Sequence, residues 1–163
     1  MELWFSENHT ENVKIDLRLE KQLFSGESDY QRIDVFESKE LGRVLTLDGD
    51  ILFSSADDFV YNEMVVHVPM SVHPGIKSVL IIGGVDGGVS KELLNYDSIE
   101  SIDIVDPDTM LMDVCKEFFP ETAKGLSDER VHIYYEDGLK FVRSKTNEYD
   151  IVIVDSTDPF GPG

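Results

Sequence analysis

The sequence predicts an α/β protein in which a small N-terminal antiparallel β domain precedes a partial Rossmann-like parallel sheet with helices. Three observations support this fold class. Several segments between residues 13 and 54 alternate apolar and polar side chains, as half-buried strands do. Short apolar runs at 78–82 (SVLII) and 150–154 (DIVIV) are typical of strands buried on both faces. The glycine-rich segment 83–88 (GGVDGG) directly follows the first of these runs, where such sheets bind ligands.

The N-terminal part is predicted to be a β meander. Alternation covers three segments, 13–24, 29–37 and 43–54. Within the last of them, Asp48-Gly49-Asp50 predicts a tight turn. A meander of this kind exposes one face to water and buries the other, so it needs something to pack against.

A helix is predicted between the two parts of the chain. Asp57 or Asp58 can cap a helix over about 58–67, which Pro69 should end. The segment 71–75 (SVHPG) then marks a boundary. We therefore predict three regions: a β-sheet domain at 1–56, a connecting helix and linker at 57–75, and a Rossmann-like domain at 76–163.

The second half of the chain alternates strands and helices, which indicates right-handed βαβ crossovers and a parallel sheet. The predicted strands are 78–82, 101–105, 131–135 and 150–154. The predicted helices are 88–95, 108–118 and 138–144.

Composition excludes several classes of function. The chain carries 33 acidic and 14 basic residues, a formal net charge of −19, which argues against binding nucleic acid or anionic membranes. The charge suits either a cationic ligand or an ordinary solvated surface. The single cysteine, Cys115, excludes an intrachain disulfide and favours a reducing cytoplasm. The four histidines lack ligand spacing, so we expect no zinc site, and no apolar run is long enough to span a bilayer.

Carboxylates follow each of the four predicted parallel strands. The strand ends carry the segments Gly83–Gly88, Asp106-Pro107-Asp108, Glu136-Asp137-Gly138 and Asp155-Ser156-Thr157-Asp158. A glycine-rich turn alone is common, and an Asp after a strand is more often a helix cap than a ligand-binding residue. Four such segments in one sheet favour an adenosine-type ligand, with Asp106 placed to accept from ribose hydroxyls. The glycine segment lacks a Lys-Ser/Thr pair and is not a P-loop.

These segments give the chain its resemblance to the spermidine synthase family. The resemblance is carried by residues 30–70, VLIIGGVDGG (79–88), VDPD (105–108), EDG (136–138) and DSTDPFGP (155–162). It implies transfer of an aminopropyl group from decarboxylated S-adenosylmethionine, as co-substrate, to putrescine, with release of methylthioadenosine. It also implies a homodimer or homotetramer and no prosthetic group.

The resemblance assigns roles by position. It implies nucleoside contacts from Gln31, Gly83, Asp86, Asp106, Asp137, Gly138 and Pro162. It implies an amine channel lined by Tyr61, Asn62, Asp86 and Asp158, with Tyr61 and Asp155 as the catalytic pair and Asp155 as general base. Two alternatives stay open from the residues alone. Tyr61 and Asn62 could belong to an amphipathic helix that packs on the sheet, and the carboxylates at 155 and 158 could cap a turn before Pro159.

The sequence departs from the family pattern in four places. Val85 stands where the family has a third glycine, and a β-branched side chain there is expected to crowd the ligand and to disfavour unusual φ/ψ values. Asn62 replaces a His or Gln, and Pro107 removes a backbone donor next to Asp106. The family continues beyond the fourth parallel strand, whose edge would then be uncovered.

These departures leave two other functions as alternatives. One is a catalytically impaired homologue that serves as a nucleoside- or polyamine-binding module or as a non-catalytic subunit. The other is a methyltransferase on the same nucleoside-binding fold.

Overall fold

The computed structural model describes residues 2–73 and 75–156 and divides the chain into two compact units, Met1–Phe59 and Val60–Gly163. The first unit is antiparallel β and the second is α/β, so the predicted fold class is confirmed. The predicted domain boundary at residue 56 stays a prediction, as does a separate connecting region at 57–75.

The first unit is a five-stranded antiparallel sheet in which each strand pairs with its neighbours in the chain. The strands are β1 (Leu3–Thr10), β2 (Val13–Glu27), β3 (Arg32–Ser38), β4 (Gly42–Leu47) and β5 (Asp50–Ser54). The predicted turn is present: Asp48 and Gly49 both have positive φ, 52° and 95°, and connect β4 to β5 as a two-residue hairpin. Strand β1 was not predicted, and it pairs with β2 from Leu3 opposite Leu19.

The second unit contains a four-stranded parallel sheet in the order β8-β7-β6-β9. Its strands are β6 (Ser78–Gly83), β7 (Ser101–Val105), β8 (Val131–Tyr134) and β9 (Ile151–Asp155). The central strand β6 is apolar on both faces, with Val79, Leu80 and Ile81 at most 1% exposed. This burial is what the apolar run at 78–82 predicts.

Five helices accompany these strands in the described part of the chain. They are α1 (Asp58–Val72), α2 (Gly88–Leu93), α3 (Thr109–Phe118), α4 (Pro120–Ala123) and α5 (Gly138–Arg143), and a 3₁₀ turn (Lys124–Ser127) follows α4. None of the helices in these ranges is long and apolar enough to cross a membrane.

The prediction that Pro69 ends the first helix is wrong. Helix α1 continues to Val72 with Pro69 inside it. Proline lacks the amide hydrogen that would bond one turn back, but its own carbonyl accepts from the amide of His73 at 3.1 Å. The next turn therefore forms in spite of the missing donor.

Candidate functional site

The parallel sheet has its topological switch point at β6. Strands β7 and β8 follow on one side of β6, and β9 lies on the other, so the chain direction across the sheet reverses there. Open α/β sheets bind ligands at the carboxyl ends of the strands beside such a point. Here those ends bring together Gly83 of β6 and Asp155 of β9, which are directly paired in register. Asp106 follows β7 on the other side of β6.

The glycine segment turns tightly against the end of β9. Gly83 has a φ of 85°, and a Cβ built on it would collide with the backbone carbonyl of Asp155. At Gly84, with φ of 71°, a Cβ would come within 3.1 Å of Asp155 Oδ2. Only residues without a side chain allow this backbone to lie so close to Asp155. The loop and the carboxylate therefore form one compact structure.

Val85 is accommodated without the expected backbone conflict. Its side chain is 1% exposed, so it packs inside the protein. Among the residues that the structure describes, positive φ outside glycine occurs only at Asp48 and Asn147. Val85 thus has a backbone conformation that any L-residue can adopt, and the position does not need a glycine on that account.

Asp86 stabilises the glycine-rich loop through a hydrogen bond inside the loop. Its Oδ1 accepts a hydrogen bond from the amide of Gly88 at 2.7 Å, just where α2 begins. The amide of Gly87 donates to the carbonyl of Gly84 at 3.1 Å and closes the turn. The carboxylate predicted to hold the nucleoside or the amine therefore also fixes the shape of the loop, while its contact with a ligand stays a prediction.

Asp106 is a partly buried carboxylate with a raised pKa. Mainly because of burial, the pKa of Asp106 is raised to about 6; a backbone hydrogen bond from Asp108 lowers it, and the charges of Asp108 and Asp155 add to the rise. That bond is donated by the amide of Asp108 to Asp106 Oδ1 at 2.8 Å. Because Asp108 supplies this amide, the hydrogen bond to Asp106 does not need the amide hydrogen that Pro107 lacks.

Asp108 is a residue to which the sequence interpretation gave no role. It is 3% exposed, and its Oδ1 accepts from the amides of Met110 and Leu111 at 3.1 Å each, so it caps α3. Its charge also contributes to the raised pKa of Asp106. The signal that could have revealed it is an Asp directly before a helical pattern, two positions after the strand-end Asp.

Tyr61 and Asp155 form a side-chain pair across 94 residues of sequence. The hydroxyl of Tyr61 donates to Asp155 Oδ1 at 2.8 Å. Burial raises the pKa of Asp155, and the hydrogen bond from Tyr61 counteracts part of that rise. A carboxylate with a raised pKa, held in place by a phenol, is suited to accept a proton from a substrate.

Asn62 lies against the start of α2. It is 7% exposed, and a Cβ added to Gly88 would overlap its side-chain amide. Asn62 was expected either to line an amine channel or to pack as part of a helix, and this geometry favours packing. A contact with an amine substrate stays a prediction for this residue.

The loop after β8 also approaches the end of β6. Asp137 Oδ1 accepts from the amide of Lys140 at 2.7 Å and caps α5. A Cβ added to Gly138 would collide with the side chain of Ile82 in β6. The predicted adenine contacts of Asp137 and Gly138 thus lie on a loop packed against β6, and they stay predictions.

Three predicted site residues do not belong to the described part of the second unit. Gln31 belongs to the first compact unit, where its carbonyl accepts from the amide of Ser28 at 2.9 Å. Asp158 and Pro162 lie outside the described residues. In the described part of the chain no group of three or more His, Cys, Asp or Glu side chains is placed to hold a metal ion.

Cys115 is buried beneath the site, as predicted for an inert thiol. Burial raises its pKa well above the usual range, and the charges of Asp86, Asp106 and Asp108 add to the effect.

The fold and the site define a class: α/β proteins of the Rossmann-like kind with strand-end carboxylates beside a glycine turn. Comparison with known proteins identifies the family. The model of the spermine/spermidine synthase domain matches residues 58–163, and that of the spermidine synthase tetramerisation domain matches residues 3–54. The chain belongs to the spermidine synthase family.

Individual relatives are similar over the whole chain. A polyamine aminopropyltransferase of Lachnospira eligens is 70% identical over 161 residues, which are 99% of this chain and 56% of the relative. One from Alkaliphilus oremlandii is 58% identical over 163 residues, 100% of this chain and 57% of the relative. The chain therefore spans little more than half the length of these curated relatives.

Two solved structures show the same fold. The crystal structure of spermidine synthase from Thermotoga maritima superposes with a TM-score of 0.92 at 41% identity, over 94% of this chain and 54% of that one. A crystal structure of spermidine synthase in complex with the transition state analogue AdoDATO gives a TM-score of 0.94 at 41% identity, over 98% of this chain and 55% of that one. These comparisons give no support to the non-catalytic or methyltransferase alternatives.

Proposed function

We propose that this protein carries out aminopropyl transfer from decarboxylated S-adenosylmethionine to putrescine, which yields spermidine and methylthioadenosine. The observation that carries the proposal is the Tyr61–Asp155 pair, in which a partly buried carboxylate at a strand end accepts a hydrogen bond from a phenol at 2.8 Å. The names of the relatives, polyamine aminopropyltransferase and spermidine synthase, support the same reaction.

The nucleoside half of the co-substrate would bind at the switch point. The glycine turn at Gly83 permits close approach of the backbone, and Asp106 would accept hydrogen bonds from the ribose hydroxyls. Asp137 and Gly138 lie on the loop after β8, where they would meet the adenine. Gln31, Asp86 and Pro162 are further nucleoside contacts in this proposal.

The reacting bonds define what Asp155 has to do. A neutral amine nitrogen attacks the methylene carbon that is bound to the sulfonium sulfur. The carbon–sulfur bond breaks, and its electron pair stays on sulfur, which leaves as the neutral thioether of methylthioadenosine. An alkylamine is an ammonium ion in water, so Asp155 has to accept its proton before the attack, while the sulfonium is still intact, and the alkylated nitrogen then leaves as a secondary ammonium ion.

The proton transfer explains why partial burial of Asp155 matters. An alkylamine has a pKa near ~10.4 and a solvated Asp near ~3.9, so direct transfer in water would cost about 9 kcal/mol. Burial raises the pKa of Asp155, and the positive sulfonium lowers that of a nearby amine, so both changes reduce the gap. Alignment of the amine with the methylene carbon would supply much of the remaining rate.

Acidic groups would hold and orient the diamine. Asp86, beside the glycine turn, and Asp158 are proposed as fixed negative charges for a cationic substrate, with Tyr61 and Asn62 beside them. The formal net charge of −19 would favour the approach of a cation in general.

The first unit supports a proposal about assembly. Because residues 3–54 match a domain described as a spermidine synthase tetramerisation domain, we infer a homo-oligomer, a tetramer in the first instance. The buried free thiol of Cys115 fits the cytoplasm as the place of action.

Release of methylthioadenosine tests the reaction and the base together. With decarboxylated S-adenosylmethionine and putrescine, we expect turnover that falls about 100-fold or more in Asp155→Asn, because general-base catalysis is lost. Asp97→Asn, an exposed Asp outside the site, is the matched control and should keep the rate of the parent protein. Equal rates for Asp155→Asn and the parent would overturn the assignment of the base. Binding of methylthioadenosine without any turnover would instead leave the binding module as the function.

A further inference from the structure

Helix α1 carries Tyr61, yet it has few buried side chains to hold it. Among its described residues only Asn62 and Val66 are buried. Four apolar side chains form an exposed stripe at intervals of four residues, Val60, Met64, Val68 and Val72, each more than half exposed. Because α1 buries so few apolar side chains in the second unit, its position depends to a large extent on polar contacts.

One polar network connects α1 to α2 and the turn that follows it. His67 Nδ1 lies 2.7 Å from the hydroxyl of Tyr96, and His67 Nε2 lies 3.5 Å from Glu92 Oε2. Asn95 Nδ2 donates to the same Glu92 oxygen at 3.0 Å. Glu92 is 8% exposed, so its carboxylate needs such partners. In the neutral imidazole, Nε2–H faces Glu92 and Nδ1 accepts from Tyr96.

The network attaches α1 to α2 at a point separate from another contact between the two helices. That other contact is the one of Asn62 with Gly88 at the N-terminus of α2. His67 lies five residues further along α1, about 7.5 Å along the helix axis, and it contacts the C-terminal end of α2 and the following turn. Attachment at two separated points fixes both the place and the direction of α1 relative to the glycine turn.

We propose that the His67–Glu92–Tyr96 network is a positioning device that holds α1 in register with the glycine turn, so that the Tyr61 hydroxyl reaches Asp155. Tyr61 precedes Asn62 directly, and its hydroxyl donates to Asp155 Oδ1 at 2.8 Å. A small rotation or shift of α1 would lengthen that hydrogen bond. His67 acts through Tyr61 and is not itself a catalytic residue. The effect of the network on turnover rests on the proposed function, whereas its effect on the position of α1 does not.

Hydrogen exchange tests the effect on α1 without any substrate. In His67→Ala and in the more conservative Tyr96→Phe, amides of residues 62–68 should exchange about 5- to 10-fold faster than in the parent, while those of β6 stay unchanged. Ser71→Ala is the matched control, because its hydroxyl bonds only one turn back to Val68 within α1 itself, at 2.7 Å. Unchanged exchange in both network variants would overturn the proposal.

A double-mutant cycle tests the route through Tyr61. We expect His67→Ala to lower kcat about 5- to 10-fold with KM for decarboxylated S-adenosylmethionine within twofold of the parent. In a Tyr61→Phe background the same change should cost less than twofold, because the hydrogen bond that it positions is already absent. Equal losses in the two backgrounds would contradict the proposal. If the parent protein shows neither turnover nor nucleoside binding, the proposed function fails, and the exchange experiment still decides the role of the network.

Discussion

Replacement of Asp106 by Asn should stabilise the protein in the absence of ligand. Burial raises the pKa of this carboxyl from 3.8 to about 6, so the folded state disfavours its charged form. In the folded protein the group binds a proton more readily than in the unfolded chain, and its contribution to stability falls as the pH rises from about 3.8 to about 6. At pH 7 the cost is about 3 kcal/mol, and at pH 5 it is about half of that.

Asparagine removes the charge and keeps the geometry. Its side-chain oxygen can still accept from the amide of Asp108, which now bonds to Asp106 Oδ1 at 2.8 Å. Urea unfolding at pH 7 and pH 5 should therefore show a more stable variant at both values, with the larger gain at pH 7. Asp97→Asn, at an exposed position, should show no such gain. An Asp106→Asn protein that is less stable than its parent, or a gain that does not change with pH, would refute the reasoning.

The same substitution should harm binding, because a ribose hydroxyl bonds more strongly to a carboxylate than to an amide. A loss of about 1.5–3 kcal/mol corresponds to a 10- to 100-fold weaker affinity for methylthioadenosine, measured by calorimetry. Such opposite effects on stability and binding are expected where a charged group is kept buried for function. Unchanged affinity would show that Asp106 does not contact the nucleoside.

Four further outcomes follow from the geometry. Gly83→Ala should prevent folding or lower stability by more than about 3 kcal/mol in urea unfolding, since its Cβ would collide with the Asp155 carbonyl at a φ of 85°; a fully stable variant would contradict this. Asp108→Ala should lower unfolding stability by about 1–2 kcal/mol, because the cap of α3 is lost, and no loss would argue against the cap. Val85→Gly should be destabilising by about 2–4 kcal/mol and should not raise methylthioadenosine affinity, since the side chain is buried; tighter binding would show that Val85 obstructs the ligand. Affinity for methylthioadenosine should also fall as the pH drops below about 6, because Asp106 then becomes protonated; a flat calorimetric profile from pH 7 to pH 5 would oppose it.

Much of the fold could be predicted from local pattern. The sequence alone predicts the apolar strand β6, because burial on both faces allows only apolar residues. It also predicts the Asp48-Gly49 turn, because positive φ is adopted by few residue types. Strand β1 was missed because Leu3–Thr10 contains only a short, mixed alternation, and its pairing with β2 supplies the rest. The end of α1 was misjudged because a proline removes one hydrogen bond but does not forbid the next turn.

The site could be predicted only in outline. Topology places Asp106 and Asp155 at the same edge of the sheet, since Asp106 follows β7 and Asp155 ends β9, the two strands beside β6. Local pattern cannot give the hydrogen bond between Tyr61 and Asp155, because these residues are 94 positions apart and meet only after α1 and β9 are in place. The raised pKa of Asp106 likewise depends on burial and on neighbours that only the folded chain supplies.

The glycine segment shows why a departure from a family motif has to be judged position by position. Gly83, Gly84 and Gly87 have positive φ, so each needs glycine for its backbone conformation. Gly88 needs it for another reason, because Asn62 occupies the space that a Cβ would take. Neither reason for a glycine applies at position 85, because Val85 does not have a positive φ and its side chain packs inside the protein. A valine at this position is therefore compatible with a working turn, and the substitution alone is no argument against catalysis.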